Sequence, residues 1–300
     1  MVQPPRGFTA LPYAERERLY LAYKAGLDMS EGARRVGTKV ESFTRKLRKF
    51  GETSVPKSAK ERFDAPPAIE GDALILADPH CPYHDAAFIN QTVTIAVKWG
   101  VPNCIVAGDI LDYNAFSPFD PNMTDTLEQE FTAGEALLGA LAHAFTKVLC
   151  LTGNHDARLY KKIGYHQIAP ERVGKMLSSA ENVEFSPYYF CLLGDNYLVE
   201  HPKNVSVLGG KVASSLAAKY HKNVISTHGH LFGMSQDVSG EYVGIDSGCC
   251  ADPRRLEYIS LRHNTRPEVV QGAVILRGGY PWLLNKFSDW GALERLGKAA

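Results

Sequence analysis

The sequence predicts an α/β fold: two mixed β-sheets with helices packed outside them, preceded by a small module of three helices. Three observations carry this. Short apolar runs recur from residue 72 onward (DALILAD, NCIVAGD, KVLCLTGN, NYLVEHP and NVISTHGH), each closing on Asp, Asn or His. Helical patterns, AAFINQTVTIAVKW and LEQEFTAGEALLGALAHAF, separate the first of these runs, an alternation that suits strands buried on both faces. Lastly, residues 1–60 carry 13 Lys/Arg against 6 Asp/Glu, while the 300-residue chain has zero net charge. A basic head therefore precedes an acidic body.

The head spans residues 1–50. Leu19, Tyr20, Tyr23 and Leu27 recur at helical spacing after Tyr13. Ser30 is the expected N-cap of a second helix, SEGARRV, which Gly37 terminates. Thr38 and Glu41 form a capping-box pattern ahead of a third helix, VESFTRKLRKF. A glycine turn before a basic third helix resembles a helix-turn-helix module. In that resemblance Ala33, Gly37, Val40 and Phe43 pack and turn, and Ser42, Thr44 and the nucleic-acid candidates Lys39, Arg45, Arg48 and Lys49 face outward. A solvated basic face is the alternative. Residues 51–70 are polar and proline-bearing and are expected to be a linker to a domain over 71–300. Later runs, EYVGIDSG, EVVQGAVIL and YPWLLN, are strand-like without intervening helices.

Composition narrows the class. An apolar fraction of 45% with 22% charged residues is ordinary for a globular chain. No apolar run approaches the roughly 18–20 residues of a membrane helix, and MVQPPRGF lacks a secretory apolar stretch. No membrane association and a cytoplasmic location are the expectation, in a host cell if the chain is phage-encoded. Cys81, Cys104, Cys150, Cys191, Cys249 and Cys250 form no CxxC pair, which argues against a disulfide framework or a cysteine-rich zinc site.

The chemistry lies at the ends of the apolar runs, where open α/β sheets place their ligands. In order these are Asp78-Pro-His80, Gly108-Asp109-Ile-Leu-Asp112, Gly153-Asn154-His155-Asp156, His201 and His228-Gly-His230. Carboxylates, imidazoles and an amide oxygen in one set suit divalent transition ions. Manganese heads the candidates, with iron, zinc or nickel as alternatives.

The series resembles the calcineurin-like metallophosphoesterase family, whose pattern is DxH, GDxxD, GNH(D/E), a lone H and GHxH. The resemblance covers residues 72 to about 285 and is nearest to phage-type phosphoesterases in DPHCPYHD and GDILDYNAFS. It implies a four-layer sandwich around a dinuclear centre. Asp78, His80 and His230 would bind the first ion, Asp109 would bridge, and Asn154, His201 and His228 would complete the second. A hydroxide shared by the ions would attack phosphorus, with His155 as general acid. Asp156 would orient that imidazole, and Asp112 would hold a metal ligand from behind.

The chain departs from the family pattern at Thr227, where glycine is usual, at Pro202 after His201, and in GDILDYN, which lacks the arginine that serine/threonine phosphatases carry there. His84 is a candidate for the rim of the site, His143 for packing, and His166, His221 and His263 for the surface. Arg254, Arg255, Arg262 and Arg266, like Arg158, Lys161 and Lys162, either steer a polyanionic substrate or are solvated. Three functions compete. The first is a phosphodiesterase or nuclease acting on nucleic acid or nucleotides, docked on DNA by the head. The second is a phosphomonoesterase. The third is a DNA-binding regulator whose large domain senses a phosphorylated ligand.

Overall fold

Helical spacing in the head becomes three helices, α1 (Tyr13–Lys24), α2 (Ser30–Arg35) and α3 (Val40–Thr53). The computed structural model describes Phe8, Leu11 and residues 13–53, 66–117, 125–163, 169–256 and 268–297. Its chain divides into two units, Met1–Ala65 and Pro66–Ala300.

In the first unit Phe8, Leu11, Met29, Ala33, Val36, Phe43 and Leu47 form a core. Gly37 adopts a left-handed φ of 67° after α2, the stop expected of it. Two local expectations are corrected. Ser30 lies inside α2 rather than capping it, and its N–H and Oγ–H both donate to Asp28 Oδ1 at 3.0 and 2.7 Å. Val40 is 41% exposed, and Val36 and Leu47 take the packing role assigned to it. Lys39, Arg45, Arg48 and Lys49 are exposed. Phe43 is fully buried, so Phe43→Ala is expected to cost about 3–5 kcal/mol. Limited proteolysis should then cut within residues 13–53 long before it cuts the second unit.

The expected linker is shortened at both ends. α3 reaches Thr53, and β1 (Ala68–Ile69) already pairs in parallel with β6 (Phe190–Leu193). Residues 54–65 lie outside the described part.

Two six-stranded mixed sheets make up the second unit. One has the order β1-β6-β7-β8-β10-β9, adding β7 (Tyr197–Glu200), β8 (Asn223–Ser226), β9 (Phe232–Gln236) and β10 (Val243–Ser247). The other runs β12-β11-β2-β3-β4-β5, from β2 (Ala73–Leu76), β3 (Asn103–Ala107), β4 (Lys147–Leu151), β5 (Val183–Phe185), β11 (Ala273–Arg277) and β12 (Tyr280–Leu284). Every residue of β2 and β3 is buried, because each sheet is covered twice. Alternation along β2 divides the work: Ala73 and Ile75 face the other sheet, in a core with Ile105, Leu149, Val199 and Ile245, while Leu74 and Leu76 join the core under the helices.

Those helices are α4 (Ala86–Lys98), α5 (Leu127–Ala144), α6 (Asp156–Ile163), α7 (Pro170–Leu177), α8 (Lys211–Tyr220) and α9 (Trp290–Gly297). Asp85 caps α4 by accepting from Ala87 N and Phe88 N, and Thr126 with Gln129 forms a capping box on α5. α8 covers the outer face of the first sheet through Ala213 and Ala217. Helices outside two facing sheets give the expected four layers. His143 is exposed on α5 rather than packed. None of the described helices is long and apolar enough to cross a membrane, and all six cysteines are free and buried.

Candidate metal centre

The parallel register sets the site. Leu76 lies beside Val106 and Ala107 beside Leu151, so the loops after β2, β3 and β4 leave one edge of their sheet together. They bring Asp78 and His80, then Asp109 and Asp112, then Asn154 and His155. Across the sandwich Glu200 lies beside Ser226, so His201 after β7 and His228 and His230 after β8 emerge at matching heights.

Asp78, His80, Asp109, His228 and His230 hold φ between 47° and 67°. Non-glycine residues rarely adopt this left-handed region, and its clustering is a mark of functional loops. Among the other described non-glycine residues only Tyr113 and His221 share it. Glycines make the close approach possible. A Cβ on Gly108 would lie 2.5 Å from His201 Nδ1, and one on Gly153 would strike the Asp109 carboxylate and backbone nitrogen.

Hydrogen bonds fix which atoms look inward. His201 Nδ1 lies 3.0 Å from the Ala107 carbonyl, which can only accept, so Nδ1 carries the hydrogen. That leaves His201 Nε2 turned toward Asn154 Oδ1 at 2.9 Å and Asp109 Oδ2 at 3.6 Å. His80 repeats the arrangement. Its Nδ1 meets Asp112 Oδ1 at 3.0 Å, leaving Nε2 3.2 Å from His230 Nε2 and 3.9 Å from Asp109 Oδ2. Imidazole nitrogens crowded with carboxylate and amide oxygens are the donor set of a cation, with each imidazole oriented from behind.

A further observation tests the fit. Asp78 is fully buried, with Oδ2 accepting from His228 N at 3.0 Å. Its Oδ1 has no hydrogen-bond partner, and His201 Nδ1 and His230 Nε2 lie 3.6 and 3.8 Å away. An orphaned buried carboxylate oxygen is costly unless a positive charge answers it. Asp78, His80 and His230 form one group with mutually reachable donor atoms, and Asp109, His201 and His228 form another. A third, His80, Asp109 and His155, overlaps both. These residues fit divalent metal.

The charges agree with that fit. Burial pushes the Asp109 carboxyl up, but His201, His155 and His80 outweigh it and hold its pKa well below the carboxylate range. Asp78 is lowered too, by His230 and His201 against its burial. Burial and neighbouring His201 bring His228 down to about 4, leaving a neutral imidazole ready to coordinate.

The supporting residues divide differently from expectation. Asp112 meets His80 Nδ1 at 3.0 Å and His155 Nδ1 at 3.1 Å. Asp156 was expected to orient His155. Instead its Oδ2 accepts from Asp109 N at 2.9 Å and Gly153 N at 2.8 Å, tying two ligand loops together. Burial and neighbouring Asp109 raise its pKa to about 7. Thr227 finds a use for its departure from glycine: its Oγ1 bonds the Ala107 carbonyl and lies 3.0 Å from His201 Nδ1. Sequence reasoning missed Glu130, which is fully buried on α5 and accepts from Tyr113 N and Asn114 N at 2.6 and 3.0 Å. A lone acid on the apolar face of a helix pattern was its available signal.

Replacing Asp112 with Asn puts a donor where two imidazoles need an acceptor. Metal affinity is expected to fall about 10–100-fold, as read by competition with a chromogenic chelator.

Outside the centre, His84 bridges to Ala251, and no metal-ligand group among the described residues includes it. Arg254 is tied to Asp252 at 2.8 Å, and Arg255 lies over the Tyr83 ring. Lys161 and Lys162 are exposed, as is His221. Arg262, Arg266, His166 and His263 lie outside the described residues.

No protein-family model matches this chain, and no curated protein does. Solved structures do. A phosphoesterase from E. coli, YfcE, aligns over 69% of this chain and 88% of its own, at 14% identity and a TM-score of 0.36. Vacuolar Protein Sorting 29 from Cryptosporidium parvum aligns over 71% and 95%, at 11% identity and a TM-score of 0.36. A Vps29 single mutant from Entamoeba histolytica aligns over 71% and 98%, at 10% identity and a TM-score of 0.34.

Proposed function

We propose that this chain is a metal-dependent phosphoesterase of the calcineurin-like type, using two divalent ions on a phosphodiester of nucleic acid or a nucleotide. The convergence of Asp78, His80, Asp109, Asn154, His201, His228 and His230 from both sheets, with a carboxylate oxygen left unanswered, carries this reading. Asp78, His80 and His230 would hold one ion, Asn154, His201 and His228 would hold the other, and Asp109 would contribute to both. Such ions, when bound, polarise phosphoryl oxygens and bring the pKa of water toward neutrality. Around them the chain's own groups orient and position. Asp112 and Ala107 fix the His80 and His201 imidazoles, and Asp156 locks the loops of Asp109 and Gly153. His155 stands beside His80, with ring centroids 4.4 Å apart, as the candidate acid for the leaving oxygen.

The preference for nucleic acid is supported by the basic head, where Lys39, just ahead of α3, and Arg45, Arg48 and Lys49 on it are exposed. The test is Mn2+-dependent hydrolysis of bis-p-nitrophenyl phosphate beside p-nitrophenyl phosphate, then long DNA with and without residues 1–60. Diester turnover, and a truncation that slows only the DNA reaction, is the expected result. Monoester turnover alone would make the chain a phosphatase. Inactivity toward both esters with metal bound would overturn the hydrolase reading.

A further inference from the structure

Arg158 sits in the first turn of α6 with its side chain 15% exposed. Its Nη1 donates to the Asp112 carbonyl at 2.8 Å, and its Nη2 lies 2.9 Å from His155 Nε2. A guanidinium has five donors and no acceptor, so His155 Nε2 must be the accepting atom. The ring hydrogen is then on Nδ1, which lies 2.8 Å from the Asp112 carbonyl and 3.1 Å from its Oδ1. Both ring nitrogens are therefore engaged. His155 in this state has no free N–H to offer a leaving oxygen, although its ring packs edge-on against His80 of the metal centre.

The hydrogen bond between Arg158 Nη2 and His155 Nε2 also marks a place. One side supplies a planar, permanently charged donor and the other a lone pair, and both converge on one point next to the centre. An oxyanion entering there would take over the Nη2 hydrogen bond, and the freed Nε2 could then bind a proton from water and donate to the oxyanion in turn. Guanidinium geometry matches phosphate oxygens better than an ammonium does. The residue after Asp112 is Tyr113, so no cation is supplied from that loop position.

We propose that Arg158 is the phosphate-binding guanidinium of this centre, stored on His155 Nε2 and passed to a phosphoryl oxygen when substrate enters. This rests on the phosphoesterase reading and deepens it, for it names the group that recognises the anion.

Calorimetric titration of the Mn2+-loaded full chain with inorganic phosphate tests it, using Arg158→Ala, Arg158→Lys and Lys161→Ala. Loss of a charge-assisted hydrogen bond is expected to weaken phosphate about 10–100-fold in Arg158→Ala. Arg158→Lys should fall between that and wild type, and Lys161→Ala should bind as wild type does. With an aryl phosphodiester, KM should rise in Arg158→Ala by more than kcat falls. Nitrogen-15 spectra of the metal-free imidazoles should show His155 protonated on Nδ1 in wild type and lose that preference in Arg158→Ala.

Phosphate binding equal in Arg158→Ala and wild type, a loss confined to kcat, or no phosphate binding by wild type would each overturn the proposal. Turnover by wild type is read separately. Arg158-dependent phosphate binding without ester hydrolysis would sink the hydrolase reading and keep the guanidinium assignment. Hydrolysis without Arg158-dependent binding would do the reverse.

Discussion

Asp109→Asn is expected to lower diester turnover more than about 100-fold and to cost the chain one of its bound ions. Removing a group that only orients a ligand already loses about 10–100-fold, and Asp109 faces the ions from the middle of the set. Its Oδ1 accepts from His155 N at 2.7 Å, and its Oδ2 looks toward His80 and His201. An amide cannot serve both sides. With its oxygen on His155 N, it presents N–H groups to imidazole lone pairs. Turned over, it leaves a buried N–H of His155 without an acceptor, at about 1–3 kcal/mol. Metal content after gel filtration, measured by atomic emission beside the initial rate, checks both halves. Unchanged stoichiometry would remove Asp109 from the ligand set.

Gly153→Ala is expected to destabilise the second unit by about 3 kcal/mol, lowering Tm by about 6 °C or more, and to abolish metal binding. The added methyl would overlap Asp109 and lie 2.8 Å from its carboxylate carbon. Neither backbone can retreat, because Asp156 holds the N–H groups of both Gly153 and Asp109. Gly139→Ala is the control. No atom lies within 4 Å of its added methyl, on an exposed face of α5, so it should match wild type or gain slightly from helix propensity. Equal melting curves for the two variants would show that the loops have slack the structure does not allow them.

Much of this was legible in the sequence, for a physical reason. A strand buried on both faces reads as an unbroken apolar run, and a donor residue at its end interrupts the run visibly. DALILAD, NCIVAGD and KVLCLTGN therefore announced β2, β3 and β4 together with Asp78, Asp109 and Asn154. The elements that escaped are short or mixed in character. β1 has two residues in a proline-bearing stretch, and β9 is FGMSQ, half-exposed along its length. Asp156 was assigned to the wrong partner because adjacency in sequence says nothing about direction. As the first residue of α6 it turns back toward the preceding loop, away from the ring of its neighbour. Val40 shows the complementary error, since helical spacing alone did not settle which face of α3 is covered.

The seven proposed ligands span Asp78 to His230 and come from five separate loops on two sheets. Two of the donor groups, Asp78 with His80 and His230, and Asp109 with His201 and His228, draw on both sheets, so neither is complete in a fragment that lacks one sheet. Loading of both groups is therefore expected to follow the docking of the two sheets rather than to seed it, unlike small metal-nucleated domains that are unstructured without their ion. Full metal occupancy would then report molecules whose two sheets have come together.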